Sequence, residues 1–376
     1  MKNSNLAEAK KAKNDEFYTQ YGDIQKEMEA YLEFNPDAFR GKAVYCNCDD
    51  PYESNFFRYF VLNFNKLGLK KLITTSYKPS PVANTQLTLF GDNKTLTPKK
   101  GRPKITANKF IISDVGDING DGEFNLQDIA KQLKENKNNE WAPLEGDGDF
   151  RSDECIELLK KSDIVVTNPP FSLFREYVKQ LFEYNKKFVI IGSKNTITYK
   201  EIFPLIKDNK MWVGTTSFNK DMLFIAPSNA DLSSKPKTAI RKVNGITYLR
   251  SPSVWFTNLD HGRRHQPLPL MTMADNKKFN KKVQKNENSY QKYDNYNAIE
   301  VPFTNAIPSD YDGVMGVPIS FLDKYSPEQF DIIGSDYEIK EGLLSNLINT
   351  DWKGKFDRGY INGKRIYSRL FIRHKS

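Results

Sequence analysis

The run DIVVTNPPF, Asp163 to Phe171, joins an apolar strand, Ile164 to Val166, to the tetrapeptide Asn168-Pro169-Pro170-Phe171. A helix-like stretch, SLFREYVKQLF, follows at once. An Asn side-chain oxygen accepts a hydrogen bond, and each Pro loses its N–H but keeps its carbonyl. Acceptors on a stiff backbone, aimed at one point, suit a planar amino group. An aromatic ring beside them can stack on the plane of a base. Such a pocket fits an exocyclic amine such as adenine N6. The plainer alternative is a strand-to-helix turn, in which the prolines merely stop the strand and Phe171 enters the core.

Three more segments carry polar or aromatic groups that could serve the same pocket. VYCNCDDPYESNF places Asn47, Asp49 and Asp50 just past a first strand. That turn has no Gly-rich loop and suggests no pyrophosphate cradle, but its carboxylates suit a cationic or hydroxyl-rich ligand. GDGDF places Asp149 and Phe150 in a loop, where a carboxylate can accept from an adenine amine and a ring can pack on its face. DEFYTQY, with Phe17, Tyr18 and Thr19, has the polar-aromatic character of a segment that covers a ligand.

These groups need a frame. Through residue 210 strand-like and helix-like segments alternate. Strands are expected at 43–47, 70–77, 164–168 and 187–193, and helices at 54–64, 152–161, 172–182 and 198–209. Ser152 is the expected cap of the second of these helices. Leu173, Phe174, Tyr177, Val178, Leu181 and Phe182 fit the 3.6 period of the third. The alternation predicts a parallel, doubly wound sheet, whose ligands sit outside the carboxyl ends of the strands. Residues 78–144, rich in Pro, Lys, Asn and Gly, interrupt it and read as an insertion. From about 213 the pattern changes to short strand-like runs such as MLFIAP and ITYLRSPSVWFTNL.

The net charge is +9, which points to a polyanionic partner. Charge is segregated in the second half: net +10 over 235–292, −9 over 294–351 and +7 over 353–375. Two basic blocks around an acidic one fit a DNA-gripping surface. In the first block HGRRH reads as a basic loop rather than a His–His metal pair, so Arg263 and Arg264 are candidate DNA contacts. Cys46, Cys48 and Cys155 cannot build a disulfide framework, and Cys46 and Cys48 read as packing. No signal peptide or membrane span is evident, so a cytoplasmic monomer is expected.

DEFYTQY, VYCNCDDP-x3-SNFF, LGLKKLI, GDGDFRS, LLKKSDIVVTNPPFSLFREY and YDGVMGVP together resemble the EcoRI-type adenine-specific DNA methyltransferases. FTNLDHGRRHQPLPL and QKYDNYNAI extend the likeness toward the C-terminus. The resemblance implies an S-adenosylmethionine-dependent enzyme that makes N6-methyladenine in double-stranded DNA by flipping the base out. It implies a Rossmann-like methyltransferase domain over 1–212 and a mixed α+β target-recognition domain over 213–376. It assigns Asn168, Pro169, Pro170 and Phe171 to catalysis. Asn168 and the Pro169 carbonyl would hold the amine, and Phe171 would stack on the base. It assigns Phe17, Tyr18, Thr19, Asn47, Asp49, Asp50, Asp149 and Phe150 to the cofactor. The second strand ends in TTSY and lacks the acid that usually holds the ribose.

The insertion carries three short patterns. QLTLF (86–90) looks like a docking motif for the replication sliding clamp. PKKGRPK (98–104) resembles an AT-hook, with Arg102 for an A·T minor groove. DINGDGEFNLQD places Asp117, Asn119, Asp121, Glu123 and Asp128 as in a calcium loop, with Asp128 at the final position. Any such calcium would be structural. A cognate restriction endonuclease, as a separate protein, is a further expected partner. The competing readings are a non-catalytic, clamp-tethered DNA-binding module, and a methyltransferase acting on RNA guanine or protein glutamine.

Overall fold

The computed structural model describes residues 18–48, 54–76, 107–117, 128, 138–226, 232–233 and 235–375. It divides into two compact units, Met1–Lys194 with Lys220–Leu259, and Asn195–Asn219 with Asp260–Ser376. The expected boundary at 212/213 does not coincide with these units, because residues 220–259 return to the first.

The strands, in chain order, begin with β1 (Tyr18–Thr19), β2 (Ala43–Cys46), β3 (Lys71–Thr75) and β4 (Asn108–Ile112). Next come β5 (Glu140–Pro143), β6 (Ile164–Thr167) and β7 (Lys187–Ser193). β8 (Trp212–Val213) falls in the second unit, and β9 (Met222–Ile225), β10 (Ile240–Val243), β11 (Ile246–Ser251) and β12 (Ser253–Thr257) return to the first. The helices of this unit are α1 (Tyr21–Phe34), α2 (Asn55–Leu62), α3 (Phe64–Leu67), α4 (Asp153–Lys160) and α5 (Phe174–Glu183).

The fold is mixed α/β, built on a large mixed sheet. In the first unit its strands run in the order β5-β4-β3-β2-β6-β7-β12. The four central strands, β3, β2, β6 and β7, are parallel. The outer strands β4, β5 and β12 are antiparallel, so the expectation of a parallel sheet holds only for the centre. Every residue of β2 and of β6 is buried, as continuous apolar runs in central parallel strands require. The chain leaves β2 toward β3 on one side and reaches β6 on the other. In open α/β sheets ligands bind where strand order diverges in this way, outside the carboxyl ends of the strands, here β2 and β6.

The helices follow their local sequence. Ser152 Oγ accepts from Cys155 N at 3.3 Å and caps α4, with Asp153 and Glu154 in its first turn. Phe174, Tyr177, Val178 and Leu181 form the buried stripe of α5. A second, antiparallel sheet has the order β1-β9-β11-β10. The run ITYLRSPSVWFTNL breaks at Pro252 into β11 and β12, so one segment serves both sheets.

The expectation that 78–144 is an insertion outside the sheet is corrected here. β4 pairs with β3 from Leu72↔Ile112 to Thr75↔Lys109, and β5 pairs with β4. Phe110 and Ile112 are buried, and Phe110 stacks on Trp141 at 5.7 Å. Composition concealed these strands because the polar residues around them dominate the segment.

The second unit centres on a four-stranded sheet of β13 (Ile299–Glu300), β14 (Met315–Pro318), β15 (Phe330–Ser335) and β18 (Arg369–His374), in the order β13-β14-β18-β15. The short hairpin β16 (Tyr360–Ile361) and β17 (Lys364–Arg365) lies outside it. Its helices are α6 (Phe203–Lys207), α7 (Met273–Phe279), α8 (Lys281–Gln284) and α9 (Asp336–Lys340). Glu300 and Arg369, both buried, pair across the sheet at 2.5 Å, and Tyr293 donates to the same carboxylate.

Deleting residues 79–143 removes β4 and β5 and leaves β3 as an open, apolar edge. The expected result is aggregation or a markedly lower unfolding midpoint. A soluble deletion variant with the parent's midpoint would show that the two strands are dispensable.

Candidate functional site

Asn47 follows β2 and Asn168 follows β6, so the two amides stand at the carboxyl ends of neighbouring strands. Asn47 is buried and held at two points. Its main-chain oxygen accepts from Thr167 Oγ1, the last residue of β6. Its side-chain Oδ1 accepts from the phenol of Tyr177 in α5. The turn after β2 is therefore fastened from both sides of the NPPF segment. Burial pushes the Tyr177 phenol well above its ordinary value, so it stays a neutral donor.

The tetrapeptide forms a tight exit from β6. The Pro170 carbonyl accepts from Leu173 N at 3.0 Å and closes a single 3₁₀ turn, Phe171–Leu173, that leads into α5. That bond occupies the Pro170 carbonyl, while Pro169 is buried. Asn168 is half-buried, and its Oδ1 is shielded from solvent. Phe171 is also half-buried, with one side against the core. The placement of α5 depends on Gly192 of β7, where a Cβ would come within 2.5 Å of the Phe174 ring.

The GDGDF loop is fixed to the same helix. Gly148 has φ +78°, and a Cβ there would lie 2.0 Å from the Ser76 carbonyl just past β3. Glycine alone allows that approach. Gln180 Nε2 donates to the Phe150 carbonyl at 3.1 Å. Arg151 binds both Asp149 oxygens, at 2.9 and 2.7 Å, and reaches Glu176 at 3.0 Å. Burial alone would raise the Asp149 pKa, but the Arg151 guanidinium and backbone N–H outweigh it and hold the carboxyl below the usual range. Phe150 is buried, its ring edge-on to Tyr177 at 4.9 Å.

Tyr18 and Thr19 form β1 against β9, and Asn55 at the start of α2 donates to the Thr19 carbonyl at 2.7 Å. Ser54 caps that helix with bonds to Phe56 N and Phe57 N, both 3.1 Å. The β1 segment is thus tied to the helix that follows the Asn47 turn. Thr19 is buried, and among the described residues its hydroxyl has no hydrogen-bond partner. A buried hydroxyl without a partner costs about 1–3 kcal/mol, which a polar ligand atom would offset. Phe17, Asp49 and Asp50 lie outside the described residues.

The chain matches the model for the adenine-specific methyltransferase EcoRI family over residues 5–375. It belongs to that family. It is 44% identical to the type II methyltransferase M.EcoRI of Escherichia coli, over 99% of this chain and 97% of that protein. It is 36% identical to the type II methyltransferase M.MpnI of Mycoplasma pneumoniae, over 98% and 97% of the two chains. The type II methyltransferase M.MgeORF184P of Mycoplasma genitalium is 34% identical over 97% of each. No solved structure matches the chain. As an adenine-specific methyltransferase it takes its methyl group from S-adenosylmethionine. The unpartnered Thr19 hydroxyl and the buried, fixed Asn47 amide suit such a polar donor.

The remaining expectations fare unevenly. Among the described residues no group of three or more His, Cys, Asp or Glu could hold a metal, so a structural calcium has no support. Of its proposed ligands only Asp117 and Asp128 are described, while Asn119, Asp121 and Glu123 are not. Arg102, QLTLF and PKKGRPK also lie outside the described residues. Cys46, Cys48 and Cys155 form no disulfide among the described residues. Among the described residues no helix is long and apolar enough to cross a membrane.

Arg263 and Arg264 are both engaged within the second unit. Arg264 is buried, stacked 3.5 Å from the Trp212 ring centre, paired with Asp260 at 3.1 Å and bonded to Asn209. Arg263 binds Asp323 at 3.0 Å and the Thr215 carbonyl. Beside them burial pushes the His261 imidazole down to about 4. His265 bridges Asp260 and Glu328 at 2.9 and 2.8 Å. HGRRH is therefore a bonded turn whose arginines pair with groups of their own unit.

Residue types alone did not single out Tyr177, Thr167, Arg151 or Asn55. Tyr177 showed only as a core position in a helical period, with no sign of where its hydroxyl would point.

Two outcomes follow. Tyr177→Phe leaves the buried Asn47 oxygen without its donor, at a cost of about 1–3 kcal/mol. It should weaken cofactor binding in calorimetry about tenfold, with the fold intact by circular dichroism. Unchanged affinity would remove Asn47 from the cofactor site. Arg264→Gln takes a buried guanidinium away from Trp212, Asn209 and the half-exposed Asp260 and should cost about 1–3 kcal/mol of stability. The salt dependence of DNA binding by the still-folded fraction should not change. A flatter salt slope at unaltered stability would return Arg264 to the DNA surface.

Proposed function

We propose that this protein is a site-specific DNA adenine N6-methyltransferase in which NPPF receives a flipped-out adenine. The observation that carries this reading is the position of Asn168. It closes a buried parallel strand at the divergence of the sheet, beside an Asn47 turn that Thr167 and Tyr177 fix in place. In this reading Asn168 Oδ1 and the Pro169 carbonyl accept the two N6 hydrogens, and the half-exposed face of Phe171 stacks on the base. Tyr18, Thr19, Asn47, Asp149 and the segment at 49–50 line the cofactor side. Phe150 acts from behind, as a packed support for Tyr177.

Bound S-adenosylmethionine supplies an electrophilic methyl group on its sulfonium. The residues supply placement. An adenine inside a duplex cannot offer N6 to a buried donor, and extrusion costs a few kcal/mol that stacking and amine hydrogen bonds offset. Two acceptors at N6 draw the amine toward sp³ geometry and expose its lone pair. No strong base is needed, because the methylated amine is acidic enough to lose a proton to water. Alignment on the methyl group supplies most of the rate.

The sheet is read as the Rossmann-like methyltransferase frame, and residues 213–376 as the part that recognises the DNA sequence. The type II relatives suggest a place in restriction–modification beside a separate endonuclease. Clamp docking through QLTLF and an A·T contact through Arg102 remain proposals from sequence.

Methyl transfer from labelled cofactor to plasmid DNA tests the activity. Sequencing the product for N6-methyladenine gives the recognition site. Asn168→Ala should lower turnover by about a hundred- to a thousandfold, losing one of the two acceptors at the transition state. Cofactor affinity should stay within about threefold, since the amide faces the base. Near-normal turnover of the variant would sink the NPPF assignment.

A further inference from the structure

The antiparallel hairpin β10–β11 projects from the catalytic unit. Its two-residue turn is Asn244-Gly245, with φ of 49° and 78°. Positive φ at both positions makes a type I′ turn, whose twist matches the flanking strands. The register Ile240↔Leu249, Arg241↔Tyr248, Lys242↔Thr247, Val243↔Ile246 sorts the side chains onto two faces. One face sends Leu249, with Ile240 beside it, into the main core. The other carries Arg241, Val243, Ile246, Tyr248 and Arg250. Val243 is 38% exposed and Ile246 is 44% exposed, opposite each other at the tip. Residues 235–251 hold five Lys or Arg and no Asp or Glu.

The base of this hairpin is anchored at the edge of the sheet that carries NPPF. β11 runs through Pro252 into β12, which pairs with β7 starting at Ser253↔Ser193. β7 is the parallel neighbour of β6, so Ser193 and Asn168 end adjacent strands on one edge. Asp221 clamps the root, taking Lys194 just past β7 at 3.0 Å and Arg250 at 2.9 Å. β9 ties β11 to β1, the Tyr18–Thr19 segment. Two exposed apolar side chains at the tip of a rigid basic hairpin lose free energy in water. Against a duplex the same arrangement puts cations on phosphates and an apolar wedge at a base step.

We propose that the hairpin β10–β11 is the wedge that opens the duplex: Val243 and Ile246 press into the base step at the target adenine, while Arg241 holds a flanking phosphate. The proposal rests on the DNA-methyltransferase reading above and goes beyond it by naming the device that extrudes the base. The hairpin and NPPF belong to one compact unit, and β11, β12 and β7 join the wedge to the pocket.

The test compares Val243→Ala/Ile246→Ala with the parent protein under single turnover. One duplex has the target adenine paired with thymine, and the other has it opposite an abasic site. An unpaired base needs less work to extrude. The double variant should slow methylation of the paired adenine by at least about tenfold, equivalent to about 1.4 kcal/mol. On the abasic duplex it should stay within about twofold of the parent. Its unfolding midpoint is measured alongside. Arg241→Gln should flatten the salt dependence of DNA binding by about one unit of slope. Equal losses on both duplexes, or none on either, overturn the wedge while leaving the methyltransferase reading intact. A parent protein that methylates neither duplex overturns that reading, and the wedge falls with it.

Discussion

Everything at the candidate site depends on the double hold on Asn47. A turn at the end of a parallel strand has no ladder partners of its own, and its polar groups must be bonded by something else. Here Thr167 takes the Asn47 carbonyl and Tyr177 takes its amide oxygen. One donor ends β6 and the other lies in α5, so they bracket Asn168 to Phe171. The two bonds make the turn and the NPPF segment one structural object. Position the helix and the pocket follows; shift the helix and both sides of the pocket shift together. Gly192 and Gln180 serve the same helix, the first by admitting the Phe174 ring and the second by carrying the GDGDF loop.

Much of this frame was legible in the sequence because its signals are local. The apolar runs at 43–47, 164–168 and 187–193 are central strands, and Ser152 caps its helix. The position of NPPF at a strand end followed from the adjoining patterns. What was not legible depends on contacts between distant segments. Tyr177 meets Asn47 across 130 residues, and nothing in a helical period says which buried aromatic will donate a bond. β4 and β5 were hidden for a different reason. They are short strands at the outer end of the sheet, with β5 at its edge, and fewer than half of their residues are buried, so polar neighbours mask them.

Charge alone does not say what a basic segment is bonded to. The HGRRH segment looked like a DNA contact because it is basic, yet its arginines are held by Asp260, Asp323, Asn209 and Trp212. Composition counts charges but cannot tell a charge that faces solvent from one that is neutralised inside the fold. The hairpin at 240–251 is the opposite case. Its sequence is unremarked as a motif, and its meaning comes from register, which sets Arg241 and the apolar tip on the outward face.

The chemistry accounts for the uncharged groups that meet at this edge among the described residues. Methylating an exocyclic amine needs a lone pair, an aligned methyl group and the absence of competing water. It does not need a side chain that exchanges protons near neutrality. The residues around the NPPF exit match that demand. Tyr177 is a phenol that burial keeps neutral, and Asn47 and Thr167 carry no charge at all. Asp149, the one carboxylate described beside them, is held ionised by Arg151 through two oxygens. A group clamped in that way is a poor general base but a good fixed dipole. Such a site gains rate from geometry rather than from proton transfer, and its stiffness is part of its catalytic equipment. On that view the packing of Phe150 against Tyr177 is as much a part of the proposed site as the NPPF amide, because it fixes the phenol that holds Asn47.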